Sequence, residues 1–179
     1  EDLYGMQMRP MAISLVDDYA IKKVVNYIGT LKGALLKPTI NGNIDSGKTS
    51  YMTCTACHGA QGEGNKALNA PKIAGLPDWY IARQLRSFKK GIRGSHEKDI
   101  YGMQMRPMAM SLANDEAIEN IASYISTFSA GVSMASNEST EPLPTATAAV
   151  TNSGSAEKGK TLYAACVSCH GADGAGNTA

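Results

Sequence analysis

The sequence predicts an all-α protein built from small helical domains in tandem. Three observations carry that reading. Apolar residues recur at helical spacing, as at Ile81, Leu85 and Phe88 and again at Ile118, Ile121, Ile125 and Phe128. No segment alternates apolar and polar residues convincingly enough for a strand. Finally, the chain is internally duplicated.

The duplication has two parts. "DLYGMQMRPMAISLVDDYAIKKVVNYIGTL" from Asp2 aligns without gaps on "DIYGMQMRPMAMSLANDEAIENIASYISTF" from Asp99, with 18 of 30 positions identical. "GKTSYMTCTACHGAQGEGNKA" from Gly47 aligns on "GKTLYAACVSCHGADGAGNTA" from Gly159. The chain therefore reads as a window on a tandem array. Residues 1–31 are the second half of one unit, 44–131 a complete unit, and 156–179 the first half of another. Residues 32–43 are a short linker with Gly, Pro and Asn as breakers. Residues 132–155, rich in Ser, Thr, Ala and Pro, read as an extended tether.

Three helices are expected in the complete unit. The first runs from about Ile44 into a cysteine pair. The second is "PDWYIARQLRSFKK", with Pro77 suited to its first turn and Gly91 to its end. The third begins after Asn114, a fitting N-cap. Between the last two lies "YGMQMRPMA", whose Gly and Pro suggest a loop.

Composition narrows the function. The 179 residues carry a formal charge of +1, leaving no basic field for nucleic acid. No apolar run approaches the ~20 residues of a membrane span. No signal peptide is visible at Glu1, so an export signal is expected outside this sequence. One Trp and two Phe make a thin aromatic core, which suggests that something other than side chains helps to fill it.

All four cysteines lie in two copies of Cys-x-x-Cys-His: Cys54, Cys57 and His58, then Cys166, Cys169 and His170. This pentapeptide is the attachment signature of c-type haem. Two thiols one helical turn apart reach two vinyl groups on one macrocycle edge, and the adjacent His ligates the iron. Two haems c per chain are thus expected. Zinc fits poorly, because structural sites separate their Cys pairs by only ~15–20 residues. A thioredoxin-like pair needs a βαβ context, which is not visible.

A second axial ligand is then required. With His58 and His170 used, only His96 remains, and its polar setting "GSHEKD" reads as a solvated loop. The repeated "GMQMRPM" offers thioethers in both copies, Met103, Met105 and Met108 in the second. One methionine per copy is expected on iron, which raises the potential as an electron carrier needs. The others suit packing at the haem edge.

"CTACHG", "APKIAGLPDWYIARQLRSFKKGIRG" and "MRPMAMSLANDEAIENIASYI", in that order, resemble the class I cytochromes c of bacteria, in particular the tandem di-haem cytochrome c4 type. The resemblance covers the chain except its linkers. It implies class I haem domains joined by linkers and a periplasmic place on the outer face of the inner membrane, with peripheral membrane association. It also implies electron transfer in a respiratory chain with partners such as a terminal oxidase or a quinol-oxidising complex. In the family register, Met-x-x-x-Ala-x-x-Leu selects Met105, with Ala109 and Leu112, and Met8, with Ala12 and Leu15. Pro71 is implied as the carbonyl partner of His58. The family favours Ser-Asp as the following cap, whereas Ala113-Asn114 and Val16-Asp17 stand here, moving the cap to Asn114 and Asp17.

The leading functional expectation is a non-enzymatic electron shuttle. The alternative is a catalytic haem protein of the peroxidase type, or the cytochrome subunit of a dehydrogenase. A peroxidase needs an open iron and a nearby acid–base group, and two Met-rich segments argue for closed sites. Residues 156–179 and 1–31 should complete one domain, with His170 and Met8 sharing a haem within one chain or by exchange between neighbouring chains. That pairing leaves a gap of roughly 30 residues, matching Leu68 to Glu97.

Overall fold

Side-chain caps set where five of the helices of this computed structural model begin; it describes residues 2–31, 37–128 and 155–176. In chain order the helices are α1 (Leu3–Ser14), α2 (Asp18–Ile28), α3 (Ile44–Tyr51), α4 (Thr55–His58), α5 (Asp78–Lys89), α6 (Ile100–Met110), α7 (Asp115–Ile125), α8 (Ala156–Tyr163) and α9 (Val167–His170). Asp17 accepts from Ala20 N–H at 2.7 Å and Asn114 from Ala117 N–H at 2.9 Å, so the caps stand where the sequence moves them. Each such cap contributes about 1 kcal/mol. Pro77 precedes α5, and Gly91, at φ +70°, ends it. No strand occurs among the described residues.

The expected loop at "YGMQMRPMA" is instead a helix. Asp99 caps α6 by accepting from Gly102 N–H at 2.9 Å, and a Cβ at Gly102 would press on that same carboxylate. Glycine here serves the cap rather than breaking the helix. Pro107 lies within α6, which ends three residues later at Met110. The first copy repeats this as α1, capped by Asp2 and containing Pro10. The first expected helix is also divided, because α3 stops at Tyr51 and the cysteine turn follows as α4.

The chain divides into two compact units, one drawn from Glu1–Leu36 and Ser136–Ala179, the other from Lys37–Ala135. In the second unit α7 packs on α3 and α5, and α5 also packs on α6. Ile81, Leu85 and Phe88 are buried with Ile118, Ile121, Ile125 and Phe128, so both expected stripes form the core. Gly47 lets α3 lie against α7: a Cβ there would collide with the Asn120 carbonyl and stand 2.9 Å from Tyr124 Cβ. Tyr51, Tyr124 and Phe128 close this crossing edge to face, with centroids 4.9–5.5 Å apart. Arg86 links α5 to α7 through Asp115 at 3.3 Å and Glu119 at 2.8 Å, and the Lys89 ammonium meets the Leu112 carbonyl.

Residues 39–43 cross this core as an irregular strap, and buried polar side chains satisfy its backbone. Asp78 accepts from Thr39 N–H at 2.5 Å, Ile40 N–H at 2.7 Å and the Thr39 hydroxyl at 2.9 Å. Ser123 accepts from Gly42 N–H at 2.8 Å and donates to the Ile40 carbonyl at 3.1 Å. Asn120 accepts from Asn43 N–H at 2.6 Å.

The first unit repeats the same crossing with α8 on α2. A Cβ at Gly159 would collide with the Lys23 carbonyl and stand 2.9 Å from Tyr27 Cβ, and Tyr27 meets Tyr163 at 5.3 Å. Lys23 and Tyr27 occupy the repeat positions of Asn120 and Tyr124. Ala20, Val24 and Tyr163 are buried there, but α1 buries nothing. Val25 and Ile28 are exposed, whereas their counterparts Ala122 and Ile125 are covered, and no counterpart of α5 occurs among the described residues of this unit. The expected tether at 132–155 lies, apart from Ser155, outside the described residues, as do residues 32–36 of the first linker.

The strap supplies a test. Burial alone would raise the Asp78 carboxyl, but bonds from Ile40 and Thr39 N–H, the Thr39 hydroxyl and Trp79 N–H outweigh it and hold it below the ordinary carboxylate range. Its contribution is therefore complete above about pH 4 and is lost as pH falls through the folded value. Asp78→Asn should cost about 2 kcal/mol in urea unfolding at pH 7, and the penalty should shrink towards pH 3.

Candidate haem sites

Each Cys-x-x-Cys-His forms a single helical turn directly after its glycine-bearing helix. In the second unit Cys54 N–H donates to the Tyr51 carbonyl at 2.8 Å, and His58 N–H donates to the Cys54 carbonyl at 2.9 Å. In the first unit the same bonds join Cys166 to Tyr163 at 2.7 Å and His170 to Cys166 at 2.9 Å. Gly59 and Gly171 then leave the turn at φ +81° and +74°, where side chains are strained. The Tyr51 hydroxyl donates to the Gly59 carbonyl at 2.7 Å, and the Tyr163 hydroxyl donates to Gly171 at 3.0 Å. The tyrosine thus braces the turn across its mouth in both copies.

Neither cysteine pair is a disulfide; Cys54 and Cys166 are half-buried, while Cys57 and Cys169 are exposed. Burial pushes the Cys54 thiol up, against a lowering bond from Thr53. Tyr51 is also pushed up, by burial first and then by Cys54 and Glu63. Among the described residues no group of three or more His, Cys, Asp or Glu could hold a metal ion.

His58 is 8 % exposed, and its Nδ1 lies 2.9 Å from the Pro71 carbonyl. The loop that brings Pro71 there is tied by its backbone. Asn65 and Ala70 exchange bonds of 2.9 and 3.0 Å, and the Gly62 carbonyl accepts from Ile73 and Ala74 at 2.8 and 3.0 Å. With Nδ1 engaged, Nε2 is left for a metal. His170, by contrast, is exposed.

Met105 is the inward methionine of α6. It is partly buried and packs on the core, while Met103 and Met108 are 39 % and 46 % exposed. Ala109, fully buried, and Leu112, also packed on the core, share its face. In α1 the corresponding Met8 is 44 % exposed, and Met6 and Met11 are exposed as well.

These residues fit a c-type haem. The second unit offers two free thiols on one turn, an imidazole with one nitrogen engaged, and a thioether on a separate helix. It also holds a buried Arg106 Nε with no hydrogen-bond partner, a donor suited to an anion.

The chain matches the cytochrome c family model over residues 44–129 and 156–179. The chain belongs to the cytochrome c family. It is cytochrome c4-like, with class I haem domains in tandem, and binds covalent haem c; the motifs at Cys54/Cys57 and Cys166/Cys169 fit two haems. When bound, the haem would supply an iron that alternates between ferric and ferrous states. Relatives include the thiosulfate dehydrogenase electron acceptor of Thiomonas intermedia, 36 % identical over 66 % of this chain and 49 % of that protein. Cytochrome c4 of Azotobacter vinelandii is 34 % identical, covering 50 % and 47 %. The cbb3-type cytochrome c oxidase subunit CcoP of Rubrivivax gelatinosus is 29 % identical, covering 69 % and 32 %. The chain spans about half the length of the first two. No described helix is long and apolar enough to cross a membrane.

Sequence reasoning passed over the tyrosine brace and Arg106. The signal for the first was present, since Tyr51 and Tyr163 each stand three residues before a first cysteine. Arg106 was also repeated, as Arg9.

Replacing Cys54 and Cys57 together by Ser, or Cys166 and Cys169 together by Ser, should halve the haem-to-protein ratio in a pyridine haemochrome assay. A variant of either kind that keeps the wild-type ratio would show that the pair does not hold a haem.

Proposed function

We propose that this cytochrome is a periplasmic electron carrier whose two irons are closed by protein ligands, His58 with Met105 and His170 with Met8. The observation that carries the reading is the inward placement of Met105 beside a His58 ring already oriented by Pro71. Four methionines crowd α6, and only the one in the family register turns to the core, Met103, Met108 and Met110 being exposed. His/Met ligation favours ferrous iron and raises the potential into a carrier's range. With both axial positions filled, peroxide has no site to bind, which sets the peroxidase alternative aside.

In this proposal residues 1–31 and 156–179 form one haem domain. The repeated helix crossing supports it, because Gly159 meets α2 at the positions where Gly47 meets α7. The partners would be redox proteins of a respiratory chain. Two relatives, one named an electron acceptor for a dehydrogenase and one an oxidase subunit, support a donor and an acceptor of those kinds. Docking would be brief and small, with an interface near the low end of about 1,200 Å².

Met105→Ala should abolish one of two sulfur-to-iron charge-transfer contributions in the ferric spectrum and lower one midpoint potential. Met103→Ala and Met108→Ala should leave both unchanged. If either of these removes the band instead, the ligand assignment is wrong. Wild-type protein should show no rapid turnover of hydrogen peroxide, and a five-coordinate high-spin resting iron would refute the closed-site reading.

A further inference from the structure

We propose that Arg106 is the charge partner of a haem carboxylate in the second unit and sets that haem's potential. The proposal rests on the reading that this unit holds its haem through Cys54, Cys57 and His58, with Met105 on the iron.

Arg106 directly follows Met105 on α6. Its Nε is buried and makes no hydrogen bond. A guanidinium stays charged at any ordinary pH. An N–H donor buried without a partner is costly, so one kept in place on a half-buried guanidinium calls for an acceptor, best an anion.

No acidic side chain of the adjacent loop answers that need. Asp99, the nearest in sequence, spends its carboxylate on Gly102 N–H at 2.9 Å and Gly94 N–H at 3.0 Å.

The loop around Arg106 is shaped to hold it. A Cβ at Gly91 would stand 3.1 Å from the guanidinium, and one at Gly94 would stand 3.1 Å from Arg106 Cβ. Both glycines have positive φ, +70° and +72°, so the close approach is built into the backbone. The side chain is thereby held against this loop, one position along α6 from the proposed iron ligand, with a donor unspent. Haem c brings two carboxylates of its own, and charge-assisted bonds from Arg to carboxylate are among the strongest available. A cation held there disfavours the extra positive charge of ferric iron, so it raises the potential.

The test is a spectroelectrochemical titration of the holoprotein, resolved into its two couples. Arg106→Gln should shift one couple so that its ferric-to-ferrous ratio at fixed potential rises about tenfold, equal to ~59 mV for one electron. Arg106→Lys, which keeps the charge, should restore most of the shift. Lys90→Gln, removing an exposed charge from the same unit, should change the ratio by less than about twofold because solvent screens it. A shift in Arg106→Gln no larger than that in Lys90→Gln would overturn the proposal.

Haem content and the charge-transfer band are read on the same samples. Loss of either in wild-type protein would refute the underlying haem assignment rather than the role of Arg106. Should Arg106→Gln fail to mature, wild-type protein labelled with 15N-arginine gives an independent answer. One Nε–H, assigned by its absence in Arg106→Lys, should exchange slowly and shift between ferrous and ferric states. An Nε–H that exchanges freely or ignores the redox state would overturn the proposal.

Discussion

A glycine pressed against a carbonyl of the closing helix organises both units. At Gly47 the absent side chain lets α3 sit against α7 at Asn120, and at Gly159 it lets α8 sit against α2 at Lys23. Any Cβ would separate the helices. The paired tyrosines, tilted or edge to face, then fix the crossing, and the same tyrosine that packs inside sends its hydroxyl to the glycine ending the cysteine turn. One contact therefore sets the crossing, the cysteine turn and the direction in which the histidine leaves the chain.

The second unit adds what holds the ligands against motion. Asp78, Asn120 and Ser123 spend their buried polar atoms on the strap at 39–43, so its irregular backbone costs little. On the opposite sequence flank, the loop carrying Pro71 is tied by its own backbone and orients His58. The first unit keeps the crossing and the cysteine turn but, among the described residues, has neither a strap nor a helix like α5. His170 and Met8 are accordingly more exposed than His58 and Met105. A shared motif yields unequal shelter, and unequal shelter of two haems is a physical basis for unequal potentials.

Much of this was legible in the sequence because repetition amplified weak signals. One Cys-x-x-Cys-His is suggestive, whereas two in duplicated surroundings point to haem c. The apolar stripes of α5 and α7 marked the core, and Asn114 and Asp17 marked the starts of α7 and α2. The Met-rich segment was misread as a loop because Gly102 and Pro107 look like breakers. Their roles depend on an Asp99 carboxylate that needs room and on a helix that ends soon after the proline, which composition does not reveal. The family register pointed to Met105, but its inward direction required α6 to be a helix. Arg106 stayed hidden for a related reason, since an arginine in a Met-rich run gives no sign that its Nε will be buried.

The central claim is that each glycine crossing seats one haem with its own axial methionine. Proton NMR of the ferrous protein tests it directly, because a methionine methyl above a haem ring is shifted far upfield. Wild-type protein should show two such methyl signals. Gly47→Leu should remove one and Gly159→Leu the other, each leaving its companion in place. A single upfield methyl in wild type, or both signals surviving in Gly159→Leu, would contradict the account.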